Sequence, residues 1–273
     1  MARKRVKAAY EDEREEDISA NNKDRDRFYA RMSSEQHALF DSIQNNSFTF
    51  CKARAGTGKT TVAVAAMLDL LMTGKITKII YIQKCSPRFL EHGFLPGTAE
   101  EKTANLYIAL YDAMETLGVN QWKVKEMVDR EQLLLKTDSD LRGCNFENAG
   151  VCMDETENMD FHTLKLILTR IHDNCHVCML GDEKQKDGSG DNSVFIDYGE
   201  YMAKNVPGEC VSLTHNFRGR LSKIAEDFER RSKSRPEVVT KRQCTRIEAT
   251  SFNHDDNIFV DNMRLAGANH DFA

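Results

Sequence analysis

No stretch of this 273-residue sequence is apolar over the length that a bilayer-crossing helix needs. The basic N-terminal residues MARKRVK lead into more charge rather than into an apolar segment, so they do not read as a secretory leader. A cytoplasmic protein with no membrane partner is the expectation. A disulfide framework is missing too. The eight cysteines are scattered, and Cys51, Cys152 and Cys178 sit in apolar, strand-like runs. Cys175-His176-Val177-Cys178 has the spacing of a thiol redox pair or of half a zinc site, but no second pair follows at a suitable distance. These thiols read as reduced core residues. Nor is there an overall excess of positive charge: the formal net charge is −5, so bulk charge does not advertise nucleic-acid binding. Internal repeats and low-complexity linkers are likewise absent.

What is present is a soluble, globular composition, 30% charged and 40% apolar, in a chain long enough for one large domain or two small ones. Residues 1–31 mix both signs densely and read as an exposed or disordered arm. A domain is expected over 32–235, followed by a polar tail over 236–273. Ser33 with Gln36 three residues on predicts a capped helix start. The runs 47–53, 78–87, 132–137, 148–154, 176–180 and 209–215 predict strands. The segments 60–72, 98–117, 160–172 and 219–231 predict helices, the second with Leu106, Leu110, Ala113, Met114 and Leu117 on one face. Strand–helix alternation of this kind predicts an α/β fold: a parallel sheet covered by helices on both faces.

The segment ARAGTGKT, 53–60, follows a strand and opens a helix, the setting in which a phosphate-binding loop works. Gly56 and Gly58 free the backbone to curl, and the amides from Ala55 through Thr61, Thr57 among them, face one anionic group at a helix N-terminus. Lys59 is assigned to the β- and γ-phosphates of ATP and Thr60 to Mg²⁺. The apolar run AGVCMD ends in Asp154 and Glu155. Asp154 is assigned to Mg²⁺ and Glu155 to polarising the attacking water as general base. HVCMLGDEKQKD, 176–187, delivers polar groups just past another strand, with Asp182 shaping the turn and Gln185 reaching the γ-phosphate or the water. Open α/β sheets bind ligands outside the carboxyl ends of their strands, so all three segments are expected at one edge. Arg218, past the strand at 209–215, is the candidate γ-phosphate arginine; Arg170, late in a helix, is the second, with a structural role as the stronger reading unless that helix end faces a neighbouring subunit. Gln36 offers one donor and one acceptor to the N6/N7 edge of adenine. For nucleic acid, the sequence offers Phe89, Phe94 and Tyr107 as stacking candidates, Tyr107 with a core role as the stronger reading. It also offers a basic cluster of Arg230, Arg231, Lys233, Arg235, Lys241, Arg242 and Arg246.

In this order the pieces resemble the PhoH-like, phosphate-starvation-inducible ATPases, related to the first domain of superfamily 1 helicases. The similarity covers about 33–230. It is carried by HGFLPGTAEEKTANLYIALYDAM (92–114), by LRGCNFENAGVCMDETENMDFHTLKLILTRI (141–171) and by GDEKQKD. Departures are Thr156-Glu157-Asn158 where the family has Ala-Gln after the acidic pair, Met153 before it, and LTHNFRG, which is closer to the Asn-Tyr-Arg motif of superfamily 1. The resemblance implies a P-loop NTPase (RecA-like) fold, Mg²⁺-dependent ATP hydrolysis, association with RNA or single-stranded DNA, and a ring-like homo-oligomer. A nucleotide-dependent switch acting on a protein partner is the competing reading, with a small-molecule kinase behind it.

Overall fold

The computed structural model describes residues 23–84, 106–182, 193–222 and 224. By contact density the chain divides into two units, Met1–Gly219 and Arg220–Ala273. Of the second unit, residues 220–222 and 224 are described and are helical.

Residues 23–31 are helical. Helix α1 (Ser34–Asn45) then starts on the capping box foreseen from the sequence. The Ser33 hydroxyl accepts from the Gln36 amide at 3.3 Å, and the Gln36 side-chain oxygen accepts from the Ser33 amide at 3.0 Å. There follow β1 (Phe48–Ala53), α2 (Lys59–Met72), β2 (Lys78–Gln83), α3 (Ile108–Thr116), α4 (Gln121–Asp129) and β3 (Leu133–Thr137). The chain continues through β4 (Ala149–Asp154), α5 (Phe161–Leu168), β5 (His176–Gly181), α6 (Ser193–Asn205) and β6 (Gly208–Leu213). The six strands form one sheet in the order β3-β2-β4-β5-β1-β6, with every pairing parallel.

Strand side chains alternate between two cores, as the pleat requires. Tyr81, Cys152, Cys178 and Leu180 face one core with α1, α2, α3 and α4. Phe50, Ile80, Ile82, Val151, Met153 and Met179 face the other with α5 and α6. The sheet is thus covered on both faces, which is why its central strands are near-continuous apolar runs. Cys51, Cys152 and Cys178 are buried here, and burial raises each thiol, that of Cys51 to about 12. Cys175 is buried too, and its thiol donates to the carbonyl of Phe146 at 3.2 Å.

Two helices went unforeseen in the sequence, α4 and α6. A third is shorter than its periodicity suggests: α5 stops at Leu168, and the chain turns to make a parallel bridge between Ile171 and Phe146. The helix expected from Thr98 begins outside the described residues. From Ile108 on it is present, with Leu110, Ala113 and Met114 buried. Tyr107 is buried and meets Tyr81 edge-on at 6.0 Å between ring centres, so it serves the core rather than stacking on a base. Phe89 and Phe94 lie outside the described residues.

Candidate functional site

Register decides what meets at the carboxyl edge of the sheet. Lys52 pairs with Gly181, Ala53 with Leu213, and Gln83 with Asp154. The phosphate-loop candidate, the acidic pair, the Gly181-Asp182 turn and the segment after β6 therefore leave the sheet side by side, as the strand pattern predicts.

The loop between β1 and α2 runs through left-handed backbone at Gly56 (φ 75°) and Gly58 (φ 78°), the two places where it needs glycine. Gly58 is the N-cap of α2 and offers no side-chain cap. The first amides of the helix are thus left for a ligand. A side chain on either glycine would also collide with something. A Cβ on Gly56 would stand 2.7 Å from Arg218 Cγ and from Asn216 Oδ1, and one on Gly58 would stand 2.9 Å from Gln36 Nε2. Thr57 turns inward, its hydroxyl donating to the Arg54 carbonyl at 2.9 Å.

Asp154, at the end of β4, is buried among three donors. The Thr60 and Tyr81 hydroxyls each donate to Oδ2 at 2.7 Å, and the Glu155 amide donates to Oδ1 at 2.9 Å. Tyr81 is held well above its ordinary pKa by burial and by the Asp154 charge, so it stays a proton donor. Glu155 takes a left-handed conformation (φ 51°) that swings its side chain out of the sheet into an exposed position. Its Oε2 accepts from Gln83 Nε2 at 3.4 Å. A hydroxyl and a carboxylate touching at the mouth of a phosphate loop form the hard-oxygen donor set that suits Mg²⁺, which takes one or two protein oxygens and keeps the rest of its shell in water and phosphate. These residues fit that ion.

Past β5, the Asp182 carboxylate accepts from the Ala55 amide at 2.9 Å. The end of β5 is thereby tied to the start of the phosphate loop. On the other side, the Thr156 hydroxyl donates to the Leu180 carbonyl at 2.7 Å, which ties the acidic turn to β5. Gln185 lies outside the described residues.

The fourth wall comes from the segment after β6. Glu35, in the first turn of α1, accepts from the Thr214 amide (2.8 Å), the Thr214 hydroxyl (2.6 Å) and the His215 amide (3.3 Å). These bonds hold its carboxyl below the usual range. The Phe217 amide then donates to the Gly56 carbonyl at 2.8 Å, and the Arg218 amide to Asn216 Oδ1 at 2.8 Å. A half-exposed aromatic ring and an exposed guanidinium are thus hung directly on the phosphate loop.

Beside the acidic pair, the phosphate loop and the segment after β6 open onto a cavity of about 490 Å³. Gln36, Gly56, Gly58, Lys59, Thr60 and Thr61 line one side, Phe217 and Arg218 another, and Ala109, Asp112, Ala113 and Thr116 of α3 face them. That volume suits a small-molecule ligand. The Gln36 side chain is pinned within it: Nε2 donates to the Thr57 carbonyl at 2.9 Å while Oε1 accepts from Ser33. One N–H and one lone pair are left over.

Of the residues expected at the site, Gln36, the 55–61 loop, Asp154, Glu155 and Arg218 come together at this edge. Arg170 does not. Its carbonyl accepts from the Phe146 amide, upstream of β4, which puts it at the opposite, amino edge of the sheet in this chain. Sequence reasoning missed Tyr81, Glu35 and Phe217. For Phe217 the signal was available in its place next to Arg218. For the other two there was none.

The parallel six-stranded sheet, with a glycine-bracketed loop opening a helix and an acidic strand end beside it, is that of a P-loop NTPase of the RecA-like kind. The chain belongs to the PhoH family: the family model described as PhoH-like protein matches residues 30–217. It is 25% identical over 205 residues to a PhoH-like protein of Synechocystis sp., covering 74% of this chain and 62% of that protein. It is 29% identical over 188 residues to a PhoH-like protein of Bacillus subtilis, covering 68% and 58%. To protein PhoH of Escherichia coli it is 28% identical over 171 residues, covering 62% and 48%. The chain thus spans roughly half to three-fifths of the length of these relatives. Among solved structures, a DEAD-box helicase Mss116 bound to ssRNA and UDP-BeF aligns over 67% of this chain and 40% of its own, at 13% identity and a TM-score of 0.37. That likeness is too loose to add to what the sheet itself says.

Proposed function

We propose that the chain is a Mg²⁺-dependent ATPase. The observation that carries this reading is the 2.7 Å contact between the Thr60 hydroxyl and the Asp154 carboxylate at the mouth of the phosphate loop, with Lys59 lining the same cavity. In this reading the loop amides from Ala55 to Thr61 and the Lys59 ammonium hold the triphosphate. Thr60 and Asp154 would hold the metal ion, which when bound would screen the phosphate charge. Glu155, exposed at the carboxyl edge of the sheet, orients a water molecule and accepts its proton, and Gln185 assists there. Arg218 brings positive charge to the terminal phosphoryl as charge develops in transfer. The remaining N–H and lone pair of Gln36 read the adenine edge, and the Phe217 ring stacks on the base. Lys59→Ala should abolish turnover and weaken ATP binding. Wild-type turnover in that variant would refute the assignment.

Coupling to RNA or single-stranded DNA is the extension of this reading, supported by the basic cluster from Arg230 to Arg246. ATPase rates with and without each polymer, at low and moderate salt, test it. Stimulation that fades with salt supports nucleic-acid coupling. No response to any polymer supports a nucleotide-dependent switch on a protein partner instead. The homo-oligomer implied by the family resemblance is tested by sizing the protein with and without ATP.

A further inference from the structure

One acidic group at this edge has no place in the chemistry above. Glu157 follows the acidic pair by two residues, in the short 3-10 turn Thr156–Asn158, and is only 3% exposed. Its Oε2 is buried without a hydrogen-bond partner among the described residues. An unpartnered carboxyl oxygen in the interior is costly, and it stands where other groups converge. From β5, a Cβ on Gly181 would be 2.8 Å from Oε2 and 2.3 Å from the Phe195 ring, so strand, ring and carboxyl crowd together here. The Asp182 amide donates to the same carboxyl, the Lys59 charge on α2 favours its ionised form, and the Asp154 charge on β4 opposes it. The apolar ring of Phe195 from α6 packs against Gly181 beside it.

We propose that Glu157 is a positioning residue for hydrolysis: its carboxyl seats the end of β5 against the turn that presents Glu155. Two neighbouring bonds show what that seating controls. Thr156 holds Leu180 from the turn, and Asp182 holds Ala55 at the head of the phosphate loop. If β5 drifts from the turn, both the acidic residue and the loop lose their shared reference. Burial pushes the Glu157 carboxyl up to about 8, so at neutral pH it is a planar, uncharged group with one donor and one acceptor. A glutamine has the same shape and the same inventory.

This inference rests on the hydrolytic reading, so its test has one readout that does not. Steady-state ATPase kinetics are compared for wild type, Glu157→Ala and Glu157→Gln. In Glu157→Ala, kcat should fall about tenfold or more while KM for ATP stays within about threefold, and Glu157→Gln should recover most of kcat. Wild-type kcat should decline above pH 8 as the carboxyl ionises beside Asp154, and Glu157→Gln should lack that decline. An unimpaired Glu157→Ala, or a Glu157→Gln as poor as the alanine variant, overturns the proposal. If Glu157→Ala does not fold, the pH profile of Glu157→Gln decides, and an alkaline decline that persists in it overturns the proposal. If wild type turns over no ATP, it is the hydrolytic reading that has failed. Amide hydrogen exchange then decides on Glu157: faster exchange over 155–158 and 178–182 in Glu157→Ala, restored in Glu157→Gln, supports it, and unchanged exchange sinks it.

Discussion

Asp154 shows how much of this site depends on contacts that no linear motif displays. An aspartate at a strand end after an apolar run is readable. That its Oδ2 is shared between Thr60 and Tyr81 is not, because those partners arrive from residues 94 and 73 positions away. Tyr81 looks like one more apolar residue in KIIYIQ until the parallel register sets it opposite Cys152, two places short of Asp154. Removing its hydroxyl takes a donor from a buried carboxylate. Tyr81→Phe should therefore lower stability by about 1–3 kcal/mol in chemical denaturation. It should also raise the Mg²⁺ concentration needed for half-maximal turnover, because the carboxylate is less firmly aimed. Glu155 has the opposite character. It is exposed, at the edge, and held by its backbone rather than by packing. Glu155→Gln should bind ATP with near wild-type affinity yet hydrolyse it about a hundredfold or more slowly, measured in single-turnover assays.

The elements that sequence periodicity captured are those with a strong apolar face: α1, α2, α3 and the central strands. The ones it missed have physical reasons. In α4 only Val124 and Met127 are buried, so a nine-residue helix shows too short a stripe to recognise, even with Asn120 capping it. In α6 a glycine interrupts the pattern. Gly199 looks like a helix breaker, yet a Cβ there would lie 2.5 Å from the ring of Phe50 on β1. The glycine lets the helix lie close against the strand that leads into the phosphate loop. Gly199→Ala improves intrinsic helix propensity, but the overpacking should outweigh it. A net loss of about 1–3 kcal/mol in urea unfolding is expected. A gain in stability would mean that Phe50 moves aside without cost.

For the whole first unit, the carboxyl of Glu157 gives stability an unusual dependence on pH. Below about 4.5 it is protonated in both folded and unfolded chains. Between there and about 8 the unfolded chain ionises and the folded one resists. The unfolded state then binds fewer protons, and stability falls as pH rises, by up to about 1.4 kcal/mol per pH unit from this group alone. Above about 8 both states are ionised and the penalty levels off. The melting temperature of Glu157→Gln relative to wild type should accordingly climb from pH 5 to pH 8. A gap that does not change with pH would show that the folded carboxyl ionises normally. At the same scale, no helix among the described residues is long and apolar enough to cross a membrane.

The phosphate loop hangs from β1 and the acidic pair from β4, and these strands are not neighbours: β5 stands between them, in pairs with both. Two strand spacings, about 9.6 Å, separate the halves of the site, and β5 is the keystone across that gap. A slip of β5 by a single residue would exchange its inward and outward faces and take Asp182 off Ala55 at the same stroke. The substitutions this protein tolerates least should therefore include conservative ones in an apolar central strand, as well as those in the loops at the carboxyl edge of the sheet.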